Sequence, residues 1–394
     1  MKPTLLSLTL LGLAVAASAQ NSRSYIVVFN EGTDLRAFSA QGALPPGLER
    51  QDRAVVGAVQ YLQNRHGFTA EHVYSHAIRG FSARLTDMQA GDLRNSALVA
   101  LVEPDGEMHA IAKPAAAQTL PWGVDNVDAD LSSALAGNGS GAVSNVNVYV
   151  IDTGVYTTAT DINLVGFVNF VDRKDNDCNG HGTHVAGTIA AIDDNDLVVG
   201  VAPGAPVTAV KVLNCQGSGA TSGVIAGVDW VTANAKKPAI ANMSLGGAAS
   251  TALDQAVLNS AASGVFYSLA AGNEGVDACT TSPARAGAGT NNGVMTVAAL
   301  DSSGAEPSWS NYGSCVDVWA PGVNILSLYQ TRTATMSGTS MASPHTGGGG
   351  ALVLSGNPNA SPATVEQLLR NAAVNTGKKS KDGRTIVRLN VAAF

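Results

Sequence analysis

The sequence predicts an α/β fold, in which a mostly parallel sheet is covered by helices on both faces and a smaller mixed unit precedes it. From about residue 120 onward, near-continuous apolar stretches of strand length alternate with stretches of helical spacing. Strands that are apolar on both faces and separated by helices are typical of buried parallel sheets. The expected strands are VNVYVID (146–152), VTAVKVL (207–213), AIANMSL (239–245), GVFYSLAAG (264–272) and GVMTVAA (293–299).

Length and composition support two folded units. The 394 residues exceed one average domain. Charged residues make up 13%, apolar residues 45%, and 43 residues are glycine, which suits a tightly packed α/β body rather than a disordered chain or a coiled coil. The formal net charge of −7 gives no reason to expect nucleic acid or an anionic membrane as a partner, and we expect neither.

The first residues have the anatomy of a secretory signal peptide. One lysine is followed by an apolar run from Leu5 to Ala17 and by the small residues Ala17-Ser18-Ala19. The alternative, a membrane anchor, needs a longer apolar span than any in the sequence. We therefore expect residues 1–19 to be removed and the protein to be secreted into an oxidising environment.

In that environment the four cysteines are expected to form disulfides. Four cysteines allow three pairings, and sequence order favours Cys178–Cys215 with Cys279–Cys315. Each bond would close a loop of about 35 residues and restrain the unfolded chain by roughly 3–4 kcal/mol in the loop-entropy model.

Residues 24–113 form the smaller predicted unit. Its helices and strands alternate as in a ferredoxin-like βαββαβ unit. The expected elements are a strand at 24–29, a helix at 53–67, a strand pair or one bent strand at 71–86, a short helix capped by Asp87 and a strand at 97–105. The stretch KPAAAQTLPWG (113–123) is rich in alanine and proline without an apolar period, so we interpret it as a linker open to proteolysis.

Residues suited to nucleophilic catalysis lie at predicted strand ends and helix starts. Asp152 ends a strand, His184 lies in NGHGTHVAGTIAAI, and Ser340 lies in SGTSMASP. A serine hydroxyl needs an adjacent base, and a histidine base needs a carboxylate to hold its tautomer. Asn273, in LAAGNE, could donate to an oxyanion together with the Ser340 N–H. Because functional groups gather at the carboxyl ends of parallel strands, we expect these residues to converge.

The order Asp…His…Ser, with DTG, HGTHVAG, AAGN and SGTSMASPH, resembles the subtilisin superfamily, most closely its proteinase K and aqualysin branch. The resemblance covers nearly all of 120–394. It implies a subtilisin-like three-layer fold for residues 115–394, with Asp152, His184 and Ser340 as catalytic triad and Asn273 as oxyanion donor. It also implies a monomeric, secreted serine endopeptidase that acts on proteins or peptides and needs no cofactor for catalysis.

Residues 20–114 resemble the subtilase propeptide, a folding assistant and intramolecular inhibitor whose tail occupies the active-site cleft. The stretch AAAQTLPWG resembles the mature N-terminus of the proteinase K branch. This resemblance implies self-cleavage near Ala115 to Ala117.

The family binds an extended peptide as a β-strand between two backbone segments. Small side chains around the pocket leave room for a large apolar or aromatic group before the scissile bond, which implies broad specificity. The resemblance assigns the two segments to Ser244-Leu245-Gly246 and Gly217-Ser218-Gly219, and the pocket to Ala270-Ala271-Gly272.

A zinc site is the competing interpretation of the histidine motif. His181 and His184, with Cys178 and Asp177, could be taken for a ligand cluster. However, Gly182-Thr183 is turn-like, whereas the histidines of the HExxH zinc motif lie four apart on a helix with a glutamate between them. Cys178 also has a disulfide partner in the expected pairing.

Calcium is expected as a structural ion, because hard cations prefer clustered carboxylates and carbonyls. Asp317, in GSCVD, matches a ligand of the proteinase K branch, and Asp125 with Asp128 lies near the implied mature N-terminus. For the latter pair, and for a loop that holds Asp172, Asp175 and Asp177, a solvated acidic turn is an equal alternative.

The helix expected after Ser340 departs from the family pattern. Gly348 matches a family glycine at a close helix contact, whereas Thr346, Gly347, Gly349 and Gly350 do not match. Three extra helical glycines cost about 1 kcal/mol each relative to alanine. A catalytically inactive, subtilase-like binding protein with a weakened Ser340 helix is therefore the alternative function. We expect alanine at Gly347 or at Gly350 to stabilise the fold.

Overall fold

The computed structural model describes residues 22–394 except 43, 45, 49, 111–112, 116–120, 160, 195 and 290. The predicted signal peptide at 1–19 lies outside the described residues. No helix within the described ranges is long and apolar enough to cross a bilayer.

The N-terminal unit has the predicted ferredoxin-like topology. Its sheet is antiparallel with strand order β2-β3-β1-β4, and the stretch 71–86 is a strand pair. Thr86, rather than the expected Asp87, caps the second helix, because its side chain accepts from the Gln89 N–H in a capping box. The elements are β1 (Arg23–Phe29), α1 (Arg53–His66), β2 (Ala70–Tyr74), β3 (Gly80–Leu85), α2 (Asp87–Arg94) and β4 (Val99–Pro104).

Two short strands follow, β5 (Glu107–Ala110) and β6 (Lys113–Ala115). Neither belongs to the sheet of the N-terminal unit; both pair with strands of the larger unit. The stretch that we interpreted as a linker therefore contains a paired strand and, from Trp122, the start of a helix.

The larger unit begins with that helix and alternates strands with helices. Its helices are α3 (Trp122–Asn126), α4 (His181–Ala190), α5 (Thr221–Asn234), α6 (Thr251–Ala262), α7 (Thr339–Gly356) and α8 (Pro362–Ala372). Its strands are β7 (Asn147–Asp152), β8 (Leu164–Asn169), β9 (Val207–Lys211), β10 (Ser218–Ala220), β11 (Ala239–Met243), β12 (Leu245–Ala248), β13 (Val265–Ala270), β14 (Thr281–Ser282), β15 (Val294–Leu300), β16 (Val318–Pro321), β17 (Ile325–Tyr329), β18 (Arg332–Ser337), β19 (Val374–Lys379) and β20 (Thr385–Arg388).

A long sheet forms the centre of this unit. Among the described residues it has nine strands in the order β19-β20-β16-β15-β13-β11-β7-β9-β8, parallel except at β19. One face packs against α4, α7 and α8, and the other packs against α5 and α6. Each of the five expected strands is present, and the predicted three-layer α/β fold is confirmed.

The N-terminal unit lies on the α5 and α6 layer. Ile26, Val28 and Tyr74 belong to the same buried apolar cluster as residues of those helices, and so does Met108 on β5. Burial of apolar surface is the main favourable contribution to such an association. The two units therefore share this one cluster, and the N-terminal unit has a second core of its own.

Both expected disulfides are present. Cys178 is bonded to Cys215, and Cys279 is bonded to Cys315. The first bond ties the loop before α4 to the turn that leads into β10.

The glycine run lies in the middle of α7, which is buried against the sheet. A Cβ atom at Gly348 would lie 2.6 Å from Val201, as expected for a close contact, and one at Gly350 would lie 2.6 Å from the Phe266 ring. At Gly347 the nearest atoms, on Asn242, Ile189 and Ile240, would be 3.5–3.6 Å away. Gly350 therefore has a packing role that its sequence position did not reveal.

We predict opposite effects of alanine at these two positions. Gly347→Ala should raise the free energy of unfolding by about 1 kcal/mol, because alanine favours the helix and its methyl group has room. Gly350→Ala should lower the free energy of unfolding, because its methyl group would overlap the Phe266 ring. Thermal unfolding of the precursor, inactivated by Ser340→Ala, measures both changes. A higher melting temperature for Gly350→Ala would contradict the packing argument.

Candidate active site

Asp152 and His181 form a buried pair at the carboxyl end of β7. The Nδ1 atom of His181 lies 2.7 Å from Asp152 Oδ1, which also accepts from the Thr153 N–H at 2.7 Å. His181 is the first residue of α4 and is 3% exposed. Burial lowers the pKa of His181, but the charge and hydrogen bond of Asp152 and the charge of Asp177 outweigh it, so the pKa is raised.

The prediction of His184 as the histidine of the triad is wrong. Its Nε2 atom contacts the carbonyl oxygens of Ile325 at 3.0 Å and Ala334 at 3.1 Å, in the hairpin of β17 and β18. His184 lies one helical turn further into α4, so only His181 can reach the strand end. Burial and the nearby His181 lower the pKa of His184 to about 3. The sequence signal was the glycine before His181, because a turn glycine marks that histidine as the helix start.

Ser340 is the second residue of α7 and is buried. Its Oγ donates to the Ser244 carbonyl oxygen at 3.0 Å, and Ser244 Oγ donates to the Ser340 carbonyl oxygen at 2.8 Å. Ser244 directly follows β11, which pairs with β7, the strand that ends at Asp152. The serine and the Asp152–His181 pair therefore lie at the ends of neighbouring strands. Within the described part of the chain, His181 Nε2 makes no hydrogen bond.

Asn273 lies next to the start of α7. Its Oδ1 accepts from the N–H and from the Oγ1 of Thr339, both at 2.9 Å. These bonds orient the amide, so that Nδ2 is its donor end. Asn273 thus contacts Thr339, the residue before Ser340, and its role as oxyanion donor stays a prediction.

A cleft beside Ser340 binds the chain's own strand β5. This strand lies between β10 and β12 and is antiparallel to both. Gly219 pairs with Met108 on one side, and Leu245 pairs with Ala110 on the other. The two segments expected to bind an extended peptide, 217–219 and 244–246, therefore flank the bound strand.

Strand β6 is bound on the other side of Ser340. It pairs with β18, so that Lys113 lies opposite Ser337 and Ala115 opposite Thr335. Ser337 is only three residues before Ser340. Strands β5 and β6 are thus both held by backbone pairing near the serine.

The predicted pocket residues Ala270, Ala271 and Gly272 lie at the end of β13 and are buried. The Gly272 N–H donates to Thr339 Oγ1 at 3.0 Å, which ties this strand end to the start of α7. A Cβ atom at Gly272 would lie 2.2 Å from the Asn311 amide, so a larger residue would displace that side chain.

The zinc interpretation has no support in the geometry. Cys178 is disulfide-bonded, His181 contacts Asp152, and Asp177 accepts hydrogen bonds from its own loop. Among the described residues, no group of three histidine, cysteine, aspartate or glutamate side chains could hold a metal ion.

Two of the carboxylates predicted as calcium ligands, Asp317 and Asp128, pair with arginine side chains. Asp317 is buried, accepts from the Thr296 N–H at 2.6 Å and forms an ion pair with Arg370. Asp128 forms an ion pair with Arg388 at 3.0 Å, and Asp125 is exposed on α3. Asp317 and Asp128 thus each have an arginine as counter-ion in this structure, and their role as calcium ligands stays a prediction. In the other acidic loop, Asp172 and Asp175 accept from the Asn169 side chain.

Asp161 is the carboxylate that the sequence analysis missed. It is 3% exposed, and neither carboxylate oxygen makes a hydrogen bond of good geometry within the described ranges. Burial and the charges of Asp194 and Asp196 raise its pKa to about 7, although the Val198 N–H acts in the opposite direction. The acidic run DDND (193–196) was the signal in the sequence. A buried carboxylate that makes no good hydrogen bond is an oxygen ligand of the kind that hard cations prefer.

We predict that Arg370 is needed to neutralise Asp317. Arg370→Ala should lower the free energy of unfolding by about 3 kcal/mol, because it leaves a buried carboxylate unpaired. Burial raises the pKa of Asp317 well above its ordinary value, so the loss should grow as the pH rises and Asp317 ionises.

Thermal unfolding of the Ser340→Ala precursor between pH 4 and pH 8 measures this loss. Asp317→Asn in the Arg370→Ala background is the control and should recover most of the stability at neutral pH. An equal loss at every pH would contradict the charge argument.

Comparisons with known proteins agree with this geometry. The model of the subtilase family matches residues 143–386, and that of the peptidase inhibitor I9 matches residues 24–110. The chain is 43% identical over 365 residues to alkaline serine exoprotease A of Vibrio alginolyticus, across 90% of this chain and 64% of that protein. It is 41% identical over 381 residues to the extracellular serine proteinase of Thermus sp. (strain Rt41A), across 90% of this chain and 87% of that protein.

A solved structure is also similar. The crystal structure of a cold adapted subtilisin-like serine proteinase has a TM-score of 0.62 and 43% identity, and it covers 70% of this chain and 100% of its own. The chain spans just under two thirds of the length of the Vibrio relative. From the fold, the site and these matches together, the chain belongs to the subtilase family of serine proteases, with an inhibitor I9 domain before its catalytic domain.

Proposed function

We propose that the protein is a serine endopeptidase with Asp152, His181 and Ser340 as its triad, made as a self-processing precursor. The observation that carries the proposal is the 2.7 Å contact between His181 and Asp152 at the strand end beside Ser340. The Ser340 hydroxyl donates to Ser244, the residue before the strand that binds β5, which supports its place in the same site.

The groups have complementary roles in the reaction. His181 takes the proton of Ser340 as its oxygen bonds to the peptide carbonyl carbon, and Asp152 stabilises the resulting imidazolium. The oxyanion accepts from the Ser340 N–H and from Asn273 Nδ2, at the positive end of α7. The imidazolium then protonates the leaving amine, and water hydrolyses the acyl-enzyme with His181 again as base.

Specificity follows from how the cleft holds β5. Backbone pairing on two sides recognises any extended peptide, which supports broad specificity. Met108 is 1% exposed next to Leu245 and Gly247, so an apolar side chain fits this position of a substrate. A large apolar group before the scissile bond remains our expectation for the pocket at 270–272.

The protein is proposed to be exported as a monomer. The Thermus relative is named an extracellular serine proteinase, and residues 1–19 of this chain have the composition of a signal peptide. Two disulfides also suit an oxidising environment. The N-terminal unit acts as the intramolecular inhibitor, because its strand β5 fills the substrate cleft.

We predict that the two histidines have separable roles. His181→Ala should lower turnover by about 10⁴-fold or more and stop self-processing, because the base is lost. His184→Gln should retain processing, because an amide can still donate to the carbonyls of Ile325 and Ala334. Intact-mass analysis of the expressed protein, with a fluorophosphonate probe for Ser340, measures both.

Probe labelling that disappears in Ser340→Ala is the matched control. Processing in His181→Ala, together with none in His184→Gln, would reverse the assignment. A wild-type protein that neither processes itself nor reacts with the probe would favour the inactive binding protein.

The strand pairing also supports a position for the self-cleavage. Leu245 pairs with Ala110, the last described residue before 111–112. Ser337 pairs with Lys113, the first described residue after 111–112, so the two paired stretches end on either side of this dipeptide. We propose that the bond between Ile111 and Ala112 is cut, rather than one near Ala115 to Ala117, of which 116 and 117 lie outside the described residues. The inhibitory unit then extends to 111 instead of 114.

We predict that the released inhibitory unit ends at Ile111. Ala112→Pro should stop processing, because proline lacks an N–H and restricts the residue before it. Ala116→Pro is the matched control and should process normally. Intact mass of the released unit gives its C-terminus independently of any later trimming of the mature enzyme. Release of a unit ending at Ala115, with Ala116→Pro inactive, would contradict the register.

We also propose that Asp161 is a ligand of a structural calcium ion, which would draw Asp194 and Asp196 toward it, since the described carboxylates do not form a ready-made group of three metal ligands. The support is the buried carboxylate with two oxygens that make no good hydrogen bond within the described part of the chain. The ion would supply the positive charge that allows Asp161 to ionise while buried. It has no part in the bond-breaking chemistry.

We predict that chelation destabilises the fold through Asp161. Removing calcium from the Ser340→Ala precursor should cost about 2.7 kcal/mol if the ion was present at a hundred times its dissociation constant. Asp161→Asn should abolish the effect of the chelator, and Asp317→Asn should leave that effect intact. Differential scanning calorimetry with and without calcium measures it. A chelator effect that persists in Asp161→Asn would place the ion elsewhere.

A further inference from the structure

We propose that Asp177 is the positioning residue that holds the two halves of the triad, the Asp152 strand end and the His181 helix start, in one geometry. This inference rests on the proposed function. Asp177 lies in the loop between β8 and α4, is 0% exposed and has no part in the chemical steps given above.

Both carboxylate oxygens of Asp177 accept hydrogen bonds from groups at the start of α4. Oδ1 accepts from the N–H groups of Asn179 at 3.0 Å and Gly180 at 2.8 Å. Oδ2 accepts from the N–H of Thr183 at 2.9 Å and from its Oγ1 at 2.5 Å. Gly180 is the N-cap residue and has no side chain to cap the helix, so Asp177 satisfies these donors instead. His181 lies inside the turn that this carboxylate holds.

The same carboxylate reaches the Asp152 strand through Thr153. Thr153 Oγ1 donates to Asp177 Oδ1 at 2.9 Å and accepts from the Gly182 N–H at 2.8 Å. The Thr153 N–H donates to Asp152 Oδ1 at 2.7 Å. Asp177, Thr153 and Asp152 thus form one chain of hydrogen bonds that crosses from the loop to the strand end. A shift of either half of the triad would break bonds to the other.

The buried side chain of Lys211 also stabilises this arrangement. Lys211, at the end of β9, is 0% exposed and donates to the carbonyl oxygens of Thr153 at 2.9 Å and Leu213 at 3.0 Å. Its Nζ lies 4.0 Å from Asp172 Oδ2, and the charges of Asp177 and Asp152 also act on it. The loop is also tied down by the Cys178–Cys215 bond, so Asp177 lies on a fixed support.

Asp177 also acts electrostatically on His181. The charged or titratable groups that face this imidazole are Asp152 from β7, Asp177 from the loop and His184 from the same helix. The Tyr329 ring on β17 packs near Gly180, and its hydroxyl donates to the Asn179 carbonyl oxygen at 3.0 Å. Asp177 is therefore the second of two negative charges that favour the imidazolium formed during the reaction.

Asp177→Asn tests the proposal. Its amide can accept on one side but cannot accept from Thr183 on the other, and it carries no charge. We expect kcat to fall by about 100-fold with KM nearly unchanged, because the triad shifts while the substrate strand is bound elsewhere. The acid limb of kcat/KM should move to lower pH by about 0.5 unit or more.

Asp193→Asn is the matched control. Asp193 is also buried and accepts from the N–H groups of Gly137, Gly139 and Gly141 at 2.9–3.0 Å, in another loop of the domain. With calcium in excess, this variant should lower the melting temperature without moving the acid limb. Equal behaviour of the two variants, with kcat following the melting temperature, would overturn the proposal.

If Asp177→Asn does not mature, two variants of Thr153 test the proposal instead. Thr153→Ser keeps the hydroxyl and should behave as wild type, whereas Thr153→Val breaks the chain and should lower kcat at constant KM. Equal activity of Ser and Val would also overturn the proposal. Failure of the proposed function itself would appear differently, as a wild-type enzyme without turnover or probe labelling.

Discussion

The parallel pairing of β7 with β11 is the constraint on which the site depends. It brings the carboxyl ends of both strands to one edge of the sheet. Asp152, the last residue of β7, and Ser244, the residue after β11, are both at this edge. The helices α4 and α7 then deliver His181 and Ser340 at their first turns. Because the register of a buried sheet cannot slip without exposing apolar side chains, this edge is as rigid as the core beneath it.

The proposed substrate cleft depends on backbone hydrogen bonds rather than on packed side chains. The strands β10 and β12 present backbone groups to β5, and these groups distinguish conformation rather than side chains. The inhibitory unit adds apolar contacts on α5 and α6, well away from the serine. Inhibition therefore combines a generic strand in the cleft with a specific docking surface behind it.

The sequence predicted most of this architecture, because apolar strand runs and motif order depend on short-range patterns. The sequence-based predictions were wrong where the role of a residue depends on its exact helical turn or on a contact with a residue far away in the chain. His181 and His184 are both in the motif, and only the path of α4 decides which reaches Asp152. The Arg370 partner of Asp317 comes from a helix more than fifty residues away, and the Phe266 contact of Gly350 comes from across the sheet. Such contacts leave no local pattern.

The strand β5 lies between two neighbours along its length, and this has a consequence for how the enzyme is switched on. A cut between β5 and β6 would leave the hydrogen bonds of β5 to β10 and β12 intact, because those bonds do not involve the cut peptide. If the precursor cuts itself as proposed, its first product therefore stays bound in its own cleft. Activity would then begin only when that product dissociates or is digested, so it should rise steeply once the first molecules are free to digest the product bound to others.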